Sequence, residues 1–337
     1  MNPWMLLWTT GVVRPDTWRR TRRLFETPDQ AMRSAWNSIA PADPGRRVVP
    51  YDAWRSELDK RASQHRQLCE VLSETAEVRW LDVDEQPTWL VRRTGGYPLQ
   101  VWGNSRCLES MGTGIVGTRR LVRLTPDLSE HLQTLVHEAV QVVSGGAIGV
   151  DGLAHRLALD TGVPAVIVIA GGLGHAGPSR HRAEYRRIVQ SGGALVSSWP
   201  AWQEPARWSF LDRNALLAAL CEQVVLVRAP LRSGARSTCA SARQLGIPVR
   251  VVPGLDEPQW MEGNQEEIRL GATWLDGTSD PRLDRASASP VLTGTVDELA
   301  HGWAMDVPST LAWLVLAECR GEAVAQDGGR WSVSARP

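Results

Sequence analysis

VQVVSGGAIGVDGLAHRLAL occupies residues 140–159. Val140, Val142 and Val143 are β-branched and apolar, which suits a buried strand, and the glycine-rich stretch Ser144–Gly149 stops that strand. From Gly152 onward, Leu153, Leu157 and Ala158 recur at helical spacing, so the unit reads strand, glycine loop, helix. The first N–H groups of a helix lack internal partners, and they favour a phosphate or another anion above the loop.

The same grammar recurs on either side. AVIVIA, 165–170, is a continuous apolar run suited to a parallel strand covered on both faces; it ends in GGLGHAG and is followed by a helical stretch through Tyr185, Ile188 and Val189. Upstream, Gly114–Gly117 reads as a short strand ending in Thr118, Arg119 and Arg120. Downstream, Gln223–Val227 and Val249–Val252 read as two buried strands separated by a helical stretch around Ala240–Leu245. Strands alternating with helices imply an α/β fold with a doubly wound parallel sheet, whose ligands bind beyond the carboxyl ends of the strands. All of these loops fall at that edge.

A chain of 337 residues with 43% hydrophobic content has room for two or three domains and a substantial core. Net charge is zero, but residues 112–254 hold 15 Arg against 9 acidic residues, whereas residues 290–337 hold 3 Arg against 6. Lys60 is the only lysine, so nearly every cation carries the planar fork that suits phosphate; genomic base composition accounts for heavy arginine usage equally well. Five scattered cysteines without a C-x-x-C pair argue against a disulfide framework or zinc site and suit a reducing, cytoplasmic setting. No apolar run is long enough to span a membrane, and the opening MNPWMLLWTTGVV lacks a basic leader. Sixteen Trp stand against two Phe, and most are expected to fill core positions.

Residues 1–75 read as a helical domain, with ADPGRR at 42–47 as a loop and 53–74 as one longer helix. VRWLDV and LQVWG read as two strands leading into a sheet domain over 76–275, which closes on a helix through Ile268 and Leu270 and the stretch GATWL. Residues 276–289, within DGTSDPRLDRASASP, have linker composition. In residues 290–337, helical stretches at Val296–Ala300 and Leu311–Ala317 precede a hairpin, Ala323–Ala325 and Trp331–Val333 around DGG. That is the pattern of a winged helix, a module that often binds DNA, although its negative balance fits a protein partner as well.

Two G-x-G-x-x-G strings are present, and neither makes a dinucleotide site. Gly112, Gly114 and Gly117 run into a strand instead of following one, and the strand after Gly172, Gly174 and Gly177 ends in Ser197 and Ser198 with no acid for a ribose hydroxyl. There is no G-x-x-x-x-G-K-[ST] string, so ATP hydrolysis by a P-loop is not expected; with no dinucleotide fingerprint and no cysteine pair, no cofactor and no metal is expected either. Asp151 and His155 are four apart on one helix, as a base and its orienter would be; a helix cap and a core histidine account for them better. His175 and His181 sit in a polar loop and are expected to be exposed. Arg213 and Asn214 open the helix of FLDRNALLAAL, where an arginine beside free N–H groups can clamp a phosphate. Trp199, Trp202 and Trp208 precede it and would stack on bases if exposed, or form a lid or dimer contact. A third glycine loop, within LRSGARSTCASA, adds the hydroxyls of Ser233, Ser237 and Thr238.

Taken together, VSGGAIGVDGLAHRLAL, FLDRNALLAAL and SGARSTCASARQLGIPVRVVPG, preceded by GIVGTRR, resemble the successive signatures of the DprA (Smf) family of DNA-processing proteins, and EGNQEEIRLGA at 262–272 resembles its next block. The resemblance implies an extended Rossmann domain between a helical N-terminal domain and a C-terminal winged helix. It implies no catalysis, but single-stranded DNA binding, a homodimer, and help in loading a RecA-type recombinase during natural transformation. The phosphate-contacting residues it implies are Thr118, Arg119 and Arg120; Ser144, Gly145 and Gly146; Gly171, Gly172 and Gly174; Arg213 and Asn214; and Ser233, Gly234 and Thr238; base stacking by Trp202 and Trp208 is expected from their place in the loop, not from the resemblance. This chain departs from the family pattern at Ala215, at Ser198, in HAGPSRH and at Gly11–Val13. A nucleotide-processing Rossmann enzyme akin to phosphoribohydrolases is the main alternative, though their P-G-G-x-G-T-x-x-E string is absent. An assembly or defence module is another.

Overall fold

Apolar, β-branched runs set the frame. In the computed structural model the described residues are 3–39, 50–120, 126–252 and 258–275, and near the C-terminus 292–303, 306–308, 310–311, 314, 323–326 and 330–333. The 42–47 loop, the linker and the DGG turn lie outside them.

Residues 1–276 form one compact unit. Its sheet begins with β1 (Val78–Leu81) and β2 (Leu99–Gly103), which are antiparallel to each other, and β2 is antiparallel to β6 (Ala194–Ser197). The other strands run parallel to β6: β3 (Gly112–Val116), β4 (Val142–Ser144), β5 (Ala165–Val168), β7 (Cys221–Leu226), β8 (Val249–Val251) and β9 (Thr273–Trp274). Spatial order is β1-β2-β6-β5-β4-β3-β7-β8-β9. The chain thus winds outward from β3 through β4, β5 and β6, then crosses back to add β7, β8 and β9 on the other side. The strand order reverses at β3, which is where open α/β sheets bind ligands.

Alternate side chains go to opposite faces of the sheet. Val143, Val166, Val168 and Val224 join one core with Leu90 of α5 (Thr88–Thr94), Leu216 and Leu217 of α9 (Ser209–Ala219), and Cys239 and Ala242 of α10 (Gly234–Gln244). Val142, Ile167, Leu195 and Val225 join the other with Leu132 and Val136 of α6 (Pro126–Glu138), Leu153 and Ala158 of α7 (Val150–Thr161), and Tyr185, Ile188 and Val189 of α8 (Arg182–Gln190). The sequence reading passed over α6, although Leu132, Leu135 and Val136 carry its i, i+3, i+4 stripe. It also passed over the two-residue β9, which is shorter than any periodicity reveals.

Helices α1 (Pro3–Thr9), α2 (Trp18–Leu24), α3 (Pro28–Ile39) and α4 (Tyr51–Ser73) gather a third core around Trp8, Trp18, Met32 and Leu58, against which Trp80, Val83 and Tyr97 of the sheet region also pack. These helices grip the loop after β6. Trp202 Nε1 donates to the Thr9 carbonyl at 2.6 Å, Arg61 lies over the Trp202 ring, and the Ala201 amide donates to His65 Nδ1 at 3.0 Å. His65 is buried edge-on to Trp8, and burial, with the nearby charge of Arg66, pushes its pKa down to about 4 from 6.5. Between those values the unfolded chain holds a proton the folded chain lacks, so His65 contributes its full stability above pH 6.5 and loses it as pH falls toward 4. Urea titrations are expected to show about 2 kcal/mol less stability from this group at about pH 5 than at about pH 7.5. His65→Asn, which keeps an acceptor for Ala201, should flatten that segment of the profile; an unchanged profile would remove His65 as its cause.

Residues 277–337 form a separate unit. Strands β10 (Leu292–Thr295), β12 (Arg330–Val333) and β11 (Ala323–Gln326) pair antiparallel in that order, and α12 (Val296–Trp303) packs Leu299 with Leu314, Trp331 and Val333. Thr295 and Glu298 close the start of α12 reciprocally, each side chain accepting from the other's amide.

No helix among the described residues is long and apolar enough to cross a membrane. No cluster of three His, Cys, Asp or Glu among them could hold a metal.

Candidate functional site

The loops after β3, β4, β5, β6 and β7 meet at the carboxyl edge of the sheet. They enclose two adjoining cavities of about 600 and 540 Å3 that share Arg119, Ala147, Phe210 and Arg213. The first also takes in Thr118, Arg120, Asn214, Arg232, Ser233, Gly234 and Thr238; the second takes in Gly145, Gly146, Gly171, Arg180 and Pro205.

Arg213 is the centre of the arrangement. One turn into α9, its side chain lies 3.9 Å from Asp151 and 3.4 Å from the Val168 carbonyl, and its Nε has no hydrogen-bond partner among the described residues. Burial holds its pKa below the ordinary arginine value; Asp151 opposes that shift, and the charge of Arg119 reinforces it. Arg119 and Arg213 lie 5.6 and 5.9 Å from the Phe210 ring centre. Two guanidiniums held beside one ring, facing a single carboxylate at the outer limit of an ion pair, leave positive charge uncompensated. An anion fits there.

The glycines are required by close approach. A Cβ on Gly145 would run into the Arg213 guanidinium, and one on Gly172 into the Pro200 carbonyl. The Gly172 and Gly174 amides donate to the carbonyls of Gln203 and Ala201 at 2.8 and 3.0 Å. Both are therefore committed to the tryptophan-bearing loop, and of the second glycine loop Gly171, His175 and Gly177 line the second cavity.

Other expected contacts are taken up inside the protein. The Ser144 hydroxyl donates to Ile115 at 2.6 Å, and Ser144 is fully buried. The Val150 amide, first of α7, donates to the Thr118 carbonyl at 3.1 Å, so the start of α7 is covered by the β3 loop, and the part of the glycine loop that lines the second cavity is 145–148. Asn214 ties α9 to α10 by donating to the Gly234 carbonyl and the Ser237 hydroxyl. Ser233 caps α10 by accepting from the Ala235 amide at 3.3 Å, while Thr238 is buried in the first cavity's wall.

Base stacking by Trp202 does not fit its position, because its ring packs on Gly11 beneath Arg61 and its nitrogen is bound to Thr9. Trp199 is buried edge-on to Trp208, which is 39% exposed with Arg14 above its ring. The pairing considered for Asp151 and His155 is not formed. Asp151 reaches back to accept from the Ala147 amide at 3.2 Å and to face Arg213, whereas His155 is fully buried with Nδ1 3.4 Å from Glu184 of α8. Burial opposes ionisation of Glu184, yet the neighbouring His155, with His181 and Arg156, holds its carboxyl below the usual range. His181, expected to be exposed, is buried against the Tyr185 ring.

Sequence reasoning missed Phe210, Tyr185 and Gly149. Phe210 stands three before Arg213, on the same helical face, which was the available signal. Tyr185 was read as core, but its hydroxyl ties two glycine loops together, donating between the carbonyls of Gly146 and Gly177 at 2.8 and 2.9 Å.

The family model described as DNA recombination-mediator protein A matches residues 84–283, which span most of the sheet and both cavities. The DNA processing protein DprA of Mycobacterium tuberculosis (strain ATCC 25618 / H37Rv) is 36% identical over 275 residues, covering 72% of this chain and 70% of that protein. Protein Smf of Escherichia coli (strain K12) is 30% identical over 275 residues, covering 70% and 72%. DNA processing protein A of Streptococcus pneumoniae shares the fold, with a TM-score of 0.59 at 20% identity over 82% of this chain and 95% of that one. With the family model spanning more than half of the chain and relatives of this identity aligned along more than two thirds of it, this chain belongs to the DNA recombination-mediator protein A family.

Proposed function

We propose that this chain binds single-stranded DNA by its phosphates at the carboxyl edge of the sheet, without catalysing a reaction on it. The observation that carries this reading is Arg213, buried at 8% exposure, lacking a partner for Nε and lined up with Arg119 on Phe210. A phosphodiester supplies the missing negative charge and acceptor atoms. Arg119, Arg120 and Arg232 are exposed around the same opening, which suits a backbone passing through it.

Membership of the family supports, as the biological role, a cytosolic homodimer that delivers single strands to a RecA-type recombinase. The C-terminal unit then acts as a winged helix toward a protein partner, in keeping with its 6 acidic residues against 3 Arg. Helical, sheet and winged-helix domains over 1–75, 76–275 and 290–337 complete this layout.

Fluorescence anisotropy of labelled oligo-dT across a salt series tests the binding. Affinity should exceed that for duplex DNA and fall steeply with salt as counterions are released. Arg213→Ala is expected to weaken binding about thirtyfold on any sequence, as fits a charge-assisted phosphate contact. Absence of single-strand binding at low salt, with free nucleotides binding instead, would replace this reading with the nucleotide-processing one.

A further inference from the structure

The second cavity is lined by Pro178, Ser179 and Arg180, which lead into α8, whose sequence is RAEYRRIVQ. Tyr185, Ile188 and Val189 face the core, which leaves Arg182, Arg186 and Arg187 exposed on the outer side, following the exposed Arg180. None of these four arginines makes an ion pair among the described residues. The only acid on α8, Glu184, is turned away toward His155 and Arg156.

Arginines elsewhere are both paired and unpaired: Arg19, Arg20 and Arg23 on α2 are also exposed without an ion pair among the described residues, but they line neither cavity. On α4, Arg55 meets Asp29 and Asp59, and Lys60 meets Glu57; on β1, Arg79 meets Glu77 and Glu85; on α11 (Pro258–Arg269), Arg269 meets Glu266. Along α8 the same kind of side chain is set out without carboxylates. Three like charges within about 7.5 Å of helix repel one another until a polyanion lies across them.

We propose that α8 is a second phosphate-binding surface, along which a strand leaving the second cavity continues over Arg180 to Arg182, Arg186 and Arg187. This rests on the reading of the cavities as a single-strand site. It adds that the footprint is longer than the pocket, so that strand length sets affinity.

The test uses the full-length protein and labelled oligo-dT of about five and about twenty nucleotides, the shorter enough for the cavity alone and the longer enough to reach α8. In the Arg182→Gln, Arg186→Gln, Arg187→Gln variant, binding of the longer oligomer should weaken about tenfold, and its log–log salt slope should drop by about 2, as for three lost phosphate contacts. Binding of the shorter oligomer should be unchanged. Lysine at the same three positions should retain the slope, since a point charge serves a phosphate. Equal losses on both lengths, or none on the longer, would overturn the proposal. If the wild-type protein binds neither length, the pocket reading itself fails, and that outcome is told apart by the wild-type curve alone. An unchanged urea midpoint would exclude misfolding.

Discussion

Gly149→Ala is expected to remove about 4 kcal/mol of stability, combining the strain of a conformation that non-glycine residues avoid with overpacking. Gly149 precedes α7 with φ +87° and ψ −128°. An added Cβ would meet the Thr118 carbonyl and the Arg119 backbone, which are main-chain atoms that cannot swing aside. The β3 loop must then back away from α7, which breaks the Val150 to Thr118 hydrogen bond and shifts Arg119 off Phe210. Gly162, at the other end of α7, serves as the control. It also has positive φ, +73°, but open space around its Cβ position, so Gly162→Ala should cost about 1 kcal/mol. Urea unfolding followed by tryptophan fluorescence compares them. Similar losses in the two variants would refute the steric account.

Asp151→Ala should cost about 3 kcal/mol, because it leaves the Arg213 guanidinium buried with no carboxylate near it. It also frees the Ala147 amide in the glycine loop. Adding Arg213→Met to that variant removes the stranded charge, and the double variant should regain most of the loss. Inorganic phosphate offers a second check. An anion that binds beside Arg213 replaces the missing carboxylate, so phosphate should raise the unfolding midpoint of Asp151→Ala more than that of the wild type. Additive costs in the double variant, together with no selective response to phosphate, would show that Arg213 is not waiting for an anion.

Much of this was legible in the chain. AVIVIA and QVVS spell buried parallel strands, and the glycines after them mark loops at one edge, because few other residues let backbones pass so closely. Arg213 was identified from its place at a helix start. Its isolation was not legible, since that depends on Asp151 arriving from α7 and Arg119 from the β3 loop at given distances. Spacing alone set Asp151 beside His155, but both side chains found partners from other elements that the period of a helix cannot reveal. The hydrogen bonds that use up Gly172 and Gly174 come from a loop some thirty residues later, a long-range pairing that glycine placement does not encode.

The loop after β6 is held by α1 and α4 through Trp202 and Ala201, and it walls the second cavity through Pro205. The helical cap and the sheet edge are therefore mechanically coupled in this chain. A lineage that discarded the first helices would strip Trp202 of Gly11, Thr9 and Arg61 at once and would unseat a wall of its own pocket. Shuffling between relatives is constrained in the same way: a cap from one ancestor suits a sheet from another only when the tryptophan loop travels with it.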